Sequence, residues 1–599
     1  MLENYGIDIW ADDNFIIEDG VVKLNHASKP ALINMVNEIR DQDFKGPLLF
    51  RFPHITQKQI DKLYTLFGNA INEYEYKGKF NAVFPLKVNQ LPNFLLPLIK
   101  SGEKYNYGLE AGSKAELFLA MTYNKMGAPI TVNGFKDKEM IHLAFIAKKM
   151  GHDITVIIEG LNELEMILEV EKETSLPTPN VGLRVRLFNS GSGVWAKSGG
   201  IDSKFGLSST EILEAFEMLK KNNLTGILKM IHFHIGSAMS TIKPLKNALK
   251  ESGHIYAELK NLGAHNLSAI NIGGGLAVEY SQFQRSTQYH LQEFANDVVF
   301  TLKNIARQKG VDEPDIFTES GRFISAASTI LITPVLELFS AEYEAENLRL
   351  KEKNPPLIEE LRELYNDINS KTALEFMHDS IDHLESLLKL FDLGYIDLED
   401  RSNAEILTNL IIKKAIWLLE VEDYEELKRI DNKIQEKYLL NFSIFQSLPD
   451  FWGIQQEFPI MPITHLDKKP TRSASLWDIT CDSDGEIEFN PEKPLYLHDV
   501  DLEKEDYFIG FFHVGAYQDI LGMRHNLFSH PTEVNVVFEE NELKLEKILE
   551  TQTIIDILED IDYDTKEIKN ILKNNLDDNT YKILKKYLNE NSYLKTSWS

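Results

Sequence analysis

The chain has 599 residues, too many for a single hydrophobic core, which predicts roughly two to four domains. With 63 Lys+Arg against 92 Asp+Glu its formal charge is −29, a balance that disfavours nucleic acid and anionic membrane as partners. The start of the chain lacks a basic n-region and an apolar h-region, no apolar stretch approaches the ~20 residues that cross a bilayer, and Cys481 is the single cysteine. These features predict a cytoplasmic protein without an intrachain disulfide.

In chain order, Gly6–Trp10 and Gly20–Leu24 read as short strands, so residues 1–25 are expected to supply N-terminal strands to a β-domain. Helical patterns follow at Ala31–Arg40 and Gln57–Phe67, flanking an apolar stretch at Gly46–Phe52. From Phe80 to Ser320 strand and helix patterns alternate. Strands are expected near 80–89, 105–110, 129–133, 154–159, 181–187, 228–235, 268–274 and 315–320, with helices such as Ser113–Lys125, Lys136–Met150 and Thr210–Lys221 between them. Eight strands separated by helices is the count of a (β/α)8 barrel, here residues 26–325. An open doubly wound sheet is the alternative. The spread of polar groups over many strand ends, rather than one switch point, favours the barrel.

Residues 341–440 contain one glycine (Gly394) and 24 acidic against 13 basic residues. Met377, Ile381, Leu384, Leu388 and Phe391 recur there at helical spacing, which predicts an inserted helical bundle. Segments 326–340 and 441–540 read as a discontinuous C-terminal β-domain. Residues 541–599, without Gly or Pro up to about Leu594, read as a helical extension. The fold class is α/β.

The barrel strand ends carry the chemistry. Lys87, in Phe84-Pro85-Leu86-Lys87-Val88-Asn89-Gln90, is expected to point its amine from the top of the first strand. It suits a Schiff base with an aldehyde cofactor if a basic or apolar setting lowers its pKa. Ser113, after Gly112, reads as a helix cap. Arg184 and Arg186 share one strand face and require anionic partners or acceptors. His232 and His234 also share a face. They could ligate a metal, but no third ligand of matching spacing accompanies them, and an imidazole beside Gly236-Ser237 equally suits stacking on an aromatic ring. Gly273-Gly274-Gly275 ends the seventh strand and Glu319-Ser320-Gly321-Arg322 the eighth, the two places where such barrels often hold phosphate.

These motifs resemble those of the alanine-racemase-like (fold type III) pyridoxal-phosphate enzymes and, within them, the biosynthetic arginine decarboxylases. The resemblance runs over nearly the whole chain. It is carried by Phe84–Gln90, Gly108–Ser113, Ser190–Phe205, His232–Ser237, Thr318–Arg322, Trp477–Gly485 and Gly515–Gln518. Shorter relatives that act on ornithine or diaminopimelate lack a comparable helical insert. Met523, where the family often has a polar residue, is a departure outside the core motifs.

The resemblance implies decarboxylation of L-arginine to agmatine and CO2, an early step toward polyamines. Lys87 would hold pyridoxal 5′-phosphate and Glu319 would pair with its pyridine nitrogen, a carboxylate favouring the charged ring where an arginine would oppose it. His234 would stack on the ring, and Arg184 would lie near Lys87 and the ring oxygen. Ser237, Gly274, Gly275, Gly321, Arg322 and Tyr517 would cradle the phosphate. Cys481 would protonate the α-carbon, a role that a thiol near its ordinary pKa can fill. Asp482 and Asp484 would accept the guanidinium. The family's turn at Asp482–Gly485 crosses into a partner's barrel, so the resemblance also implies a homodimer or dimer of dimers with shared active sites. It suggests Mg2+ too, for which no motif here locates a site, and no metal ligands are assigned. The competing readings are a decarboxylase for diaminopimelate, ornithine or lysine, an inactive binding homologue, and a metal-dependent hydrolase centred on His232 and His234. An inactive homologue is expected to lack Lys87 or Cys481, and both are present.

Overall fold

The computed structural model describes residues 5–42, 46–188, 205–237, 239–339, 344–419, 436–489 and 494–595. Most of the motif Ser190–Phe205 lies outside these residues.

The N-terminal segment departs from its expected strand. Gly6, at φ 57°, turns the chain so that its carbonyl accepts from Ile9 and Trp10, and Ile7–Trp10 forms one helical turn. Strands β1 (Phe15–Glu18) and β2 (Val21–Leu24) follow as an antiparallel hairpin that forms its own two-stranded sheet. Strand β3 (Leu48–Arg51), on the apolar stretch before the barrel helices, does not join the barrel.

Eight strands then close a parallel barrel: β4 (Phe80–Pro85), β5 (Gly108–Ala111), β6 (Pro129–Val132), β7 (Asp153–Ile158), β8 (Asn180–Arg184), β9 (Leu228–His232), β10 (Ala269–Asn271) and β11 (Asp315–Thr318). Closure is made by β11 against β4, with Ile316 opposite Phe80 and Thr318 opposite Ala82. The predicted (β/α)8 architecture is therefore observed. Val83, Ile157, Met230, Ala269 and Phe317 form a compact apolar plug apart from the main core. The barrel interior is thus packed, and its polar groups gather beyond the strand ends.

The second layer is a ten-stranded sheet assembled from distant parts of the chain. It contains β3 and β12 (Thr329–Phe339), then β13 (Glu436–Leu440), β14 (Ile460–Pro462), β15 (Arg472–Trp477), β16 (Glu486–Ile487), β17 (Leu495–Leu497), β18 (Phe508–Phe511), β19 (Thr532–Glu539) and β20 (Glu542–Leu549). Strand β3 sits between β12 and β19, so residues 48–51 belong to this sheet although they precede the barrel. The chain after Asn541 also begins differently from the expected helix. Glu540 and Asn541, both at positive φ, make a two-residue turn, and β20 pairs back onto β19. Leu543 and Leu545 pack on the core while Lys544 and Glu546 alternate with them, a strand period. Helices follow at Ile554–Asp560, Thr565–Asn575 and Asp578–Leu588.

Between β12 and β13 lie the helices Pro356–Asp367, Ala373–Asp392 and Leu398–Leu418, around a separate core that includes Met377, Leu387 and Leu407. Leu387 is the fully buried residue next to the expected Leu388, which is half-buried. No described helix is long and apolar enough to cross a membrane.

Candidate active site

Lys87 lies just past the end of its strand. Strand β4 stops at Pro85, which has no N–H to donate, and Leu86–Val88 form one 3-10 turn that carries the lysine. This turn is clamped from two sides. The Val88 carbonyl accepts from the Tyr517 N–H at 2.8 Å, and Asn89 Nδ2 donates to Asp519 at 3.0 Å. Asp519 in turn pairs with the buried Arg51 of β3 at 2.8 Å, which also pairs with Glu533 of β19. The β-domain sheet therefore fixes the position of the barrel lysine.

Lys87 Nζ stands 3.8 Å from Glu110 Oε2, at the end of β5. Its side chain is about half exposed (52%), although protein surrounds it at the barrel mouth. Glu110 raises the basicity of the amine, burial opposes this, and Glu319 adds to the rise. The expected lowering of its pKa is therefore not observed, because two carboxylates face it. Burial pushes the Glu110 carboxyl up to about 7, with the Lys87 charge acting against the shift.

Glu319 follows β11 and is almost wholly enclosed. Its Oε1 takes both Asn133 Nδ2 and His232 Nε2 at 2.9 Å. Burial favours the protonated acid, but the His232 hydrogen bond and surrounding positive charge hold the carboxyl well below its usual range. Its Oε2 has no protein hydrogen-bond partner among the described residues.

His234 is half-buried at the barrel mouth, where desolvation pushes its pKa down to about 3, and Nδ1 accepts the Gly274 N–H at 3.1 Å. The ring is therefore neutral and fixed in orientation. Gly273, at φ 69°, is required beside it, since a Cβ there would stand 2.7 Å from His234 Nδ1. Arg184 Nη1 meets Glu159 Oε1 at 2.8 Å, and its guanidinium lies 4.6 Å from the Phe205 ring centre. Arg186 instead donates to the Gly206 carbonyl and is not joined to this cluster.

Of the expected phosphate residues, Ser237 and Tyr517 meet through Arg322. Its Nε donates to Ser237 Oγ at 3.3 Å, Nη1 donates to the Tyr280 hydroxyl at 3.2 Å, and its Cζ lies 4.7 Å from the Tyr517 ring centre. Nη2 stands 3.7 Å from Asp450. Gly321 packs directly on the Lys87 turn, where a Cβ would come within 2.7 Å of Pro85 and Val88. Gly275, at φ 102°, faces Met239 and the Gly236 carbonyl.

Cys481, Asp482 and Asp484 lie elsewhere. Cys481 is exposed and its Sγ accepts from Asn526 Nδ2 at 3.4 Å. Asp482 faces His525 at 3.4 Å, and Asp484 accepts from Trp452 Nε1 at 3.3 Å. The turn is held from behind by Asp478, against which Gly485 packs so closely that a Cβ would overlap it. No described hydrogen bond or ion pair links these three residues to Lys87 within the chain. Ser113 caps its helix by accepting the Glu116 N–H, as its sequence position predicts.

The hydrolase reading loses its basis, since His232 is committed to Glu319 and His234 to Gly274. Among the described residues no group of three potential ligands could hold a metal ion. Sequence reasoning gave no role to Asn133, Glu110, Glu159, Tyr280 or Asp450, and treated His232 only as a possible ligand. Glu110, Asn133 and Glu159 each follow or end a barrel strand, so weighing every strand end equally was the signal that could have found them.

Two family models match the chain. The one described as the pyridoxal binding domain of pyridoxal-dependent decarboxylases covers residues 59–326, and the arginine decarboxylase helical bundle domain covers 351–431. A biosynthetic arginine decarboxylase of Geobacter sp. (strain M21) is 39% identical over 96% of this chain and 93% of its own. The chain belongs to the biosynthetic arginine decarboxylase family. The crystal structure of that family's enzyme from Campylobacter jejuni is 58% identical, covers 99% of this chain and 100% of its own, and superposes with a TM-score of 0.93. The diaminopimelate decarboxylase of M. jannaschii shares the fold at 19% identity and a TM-score of 0.62, covering 92% of this chain and 98% of its own.

The family's barrel domain binds pyridoxal phosphate, and the residues present fit that group. An amine, an anionic carboxylate, a flat neutral imidazole and an arginine-serine-glycine anion cradle converge on one barrel mouth. Two glycines of the cradle are required by close packing, since a Cβ at Gly321 would overlap Pro85 and Val88 and one at Gly275 would overlap Met239.

Proposed function

We infer that the barrel mouth decarboxylates L-arginine to agmatine and CO2, supplying an amine for polyamine synthesis. The observation that carries this reading is the near full-length likeness to biosynthetic arginine decarboxylases, including their helical bundle domain, joined to an enclosed Glu319 kept anionic. Pyridoxal phosphate would be held covalently by Lys87, with its phosphate on Ser237, Gly274, Gly275, Gly321, Arg322 and Tyr517. When bound, it supplies the electron sink for the pair left by departing CO2.

The chain's own residues do the rest. Glu319, fixed by Asn133 and His232, offers a negative Oε2 to the ring nitrogen and keeps a proton there. His234 presents a neutral face to the ring, so it adds no competing charge. Arg184 places a cation near the Lys87 amine. Cys481 Sγ, from a second copy of the chain, delivers the proton to the substrate α-carbon. Asp482 and Asp484 from the same turn bind the guanidinium. The exposure of Cys481 and the direction of its contacts away from Lys87 support this shared arrangement. The assembly is thus a homodimer or a pair of dimers, working in the cytoplasm.

The test is the purified protein with pyridoxal phosphate. It absorbs near about 420 nm, as a protonated imine of that cofactor does, and converts arginine to agmatine. Lys87→Ala abolishes both. Turnover of diaminopimelate, ornithine or lysine in place of arginine overturns the substrate assignment.

A further inference from the structure

Behind the phosphate cradle lies a cavity of about 610 Å3 to which no residue of the proposed active site contributes. Its roof is the N-terminal segment Ile7–Ile17 and its floor is the chain Ala277–Glu279, Thr287–Leu291, Phe323 and Ala327. The roof is fastened down at Gly6, which approaches the Gln282 carbonyl so closely that a Cβ would overlap it. Its volume lies within the range of sites for small organic ligands.

His513 is the second observation that points to a ligand. It lines the cavity, is only 3% exposed, and sits at φ 61°, a strained conformation for a histidine. Neither ring nitrogen makes a hydrogen bond. Burial pushes its pKa down to about 4, with the Asp12 charge and the Glu279 backbone acting against the shift. A buried imidazole left this way offers one N–H and one lone pair to an occupant.

The remaining lining defines the chemistry. Trp10, Phe15 and Phe323 form an apolar wall. Four carboxylates line the cavity against two cations, and Lys62 is already paired with Asp12 at 2.7 Å. Asp8 and Asp13 at the exposed rim make no side-chain hydrogen bond or close ion pair among the described residues, and Lys58 is the cation that feels the Asp13 charge. We propose that this cavity is a second ligand site for a compact organic cation with a short apolar stem and a terminal hydrogen-bonding group. The cation meets Asp8 and Asp13, the stem lies on Phe15 and Phe323, and the far end pairs with His513.

The site is coupled to cofactor retention by a short path. The His513 ring stands edge-on to Tyr280 at 5.6 Å between centroids. Tyr280 accepts from Arg322, which donates to Ser237. Phe323 in the cavity floor also follows Arg322 directly. An occupant that fixes His513 therefore holds Tyr280 and Arg322 in their cradle positions. By linkage, the cavity ligand and the phosphate strengthen each other equally.

The experiment uses the holoenzyme and 4-guanidino-1-butanol, a probe with no primary amine to react with a pyridoxal carbonyl. Calorimetry reads its binding directly, which does not depend on the proposed arginine chemistry. Release of pyridoxal phosphate to a trapping apoprotein reads the coupling, which rests on that proposed function. The expected result is binding to the holoenzyme without added arginine, noncompetitive behaviour in a separate arginine assay, and cofactor loss slowed about 5-fold or more. Ala277→Leu, which fills the floor, and His513→Asn, whose side chain tolerates the left-handed backbone, each remove both effects and retain arginine turnover. Either variant suffices if the other does not fold. Inhibition that is only competitive with arginine, absence of binding, or unchanged binding in a folded variant overturns the proposal. Binding with unchanged cofactor release keeps the site and overturns the coupling.

Discussion

Glu159 Oε1 accepts from Arg184 Nη1 at 2.8 Å, joining the end of β7 to the end of β8 with both side chains nearly sealed from water. The pair is the near end of a longer chain. The Glu159 N–H donates to Glu163 at 2.8 Å, and Glu163 also holds the buried Lys136 at 3.0 Å. Glu159→Ala leaves Arg184 buried without its carboxylate, a loss of about 3–5 kcal/mol where a buried pair is broken. Thermal denaturation of the apoprotein is expected to show the drop. Glu159→Gln, which keeps an acceptor for the guanidinium, is expected to recover most of the stability. Equal stability of Glu159→Ala and wild type would remove this pair from the account.

Glu319→Gln separates charge from shape. A glutamine Oε1 still accepts from Asn133 Nδ2 and His232 Nε2, so the pocket keeps its geometry. What is lost is the negative charge that the surroundings maintain against burial. Turnover is expected to fall about 10²–10³-fold, the scale of removing one preorganised electrostatic group. Cofactor uptake, read by absorbance, is expected to persist. A variant with full turnover would show that the charge is not used.

Much of this site was legible because each motif is local. Phe84–Gln90, the glycine run at 273–275 and Glu319–Arg322 each announce a strand ending in a functional group, and eight such endings in order imply the barrel. The bundle was legible from its lack of glycine and its helical stripe. What stayed hidden depends on distant partners. Leu48–Arg51 reads as a strand anywhere, and only pairing with residues 329–332 and 532–535 assigns it to the β-domain. The β20 strand was hidden because its stretch has no Gly or Pro and carries charged residues that read equally as a helix. Glu110 and Glu159 look like solvated loop carboxylates until the barrel closes around them.

The Glu110 carboxyl gives a pH dependence with a definite sign. Its folded pKa, pushed up by burial to about 7, exceeds its unfolded value, so the native state binds the extra proton between those two values. Stability of the apoprotein therefore declines as pH rises from about 4.5 to 7, and this contribution is fully lost above that window. Lys87 has a raised pKa, and its contribution disappears only at alkaline pH, outside the same window. Glu110→Gln is expected to flatten the slope of melting temperature against pH between 5 and 8 (about the range where only this acid of the pair titrates). It also removes the main group raising the Lys87 pKa. The variant apoprotein is expected to react faster with pyridoxal phosphate at pH about 8, since a larger fraction of its amine is neutral. An unchanged pH slope together with an unchanged reaction rate would contradict the Lys87–Glu110 pairing.

The exposed turn carrying Cys481 makes a prediction about assembly. Within one chain its sulfur contacts Asn526, and its neighbours contact His525 and Trp452, while Lys87 stands against Glu110. If the turn serves a second protomer, Lys87→Ala and Cys481→Ala damage different halves of each site. A mixed dimer then concentrates both lesions in one site and leaves the other whole. Equal amounts of the two inactive variants, dissociated and reassociated at random, are expected to recover about a quarter of wild-type activity, because half the dimers are mixed and each has one intact site of two. Size-exclusion chromatography of the mixture checks that dimers re-form. Recovered dimers without activity would place both residues in the same protomer's site, and the thiol would then need a route to Lys87 within one chain.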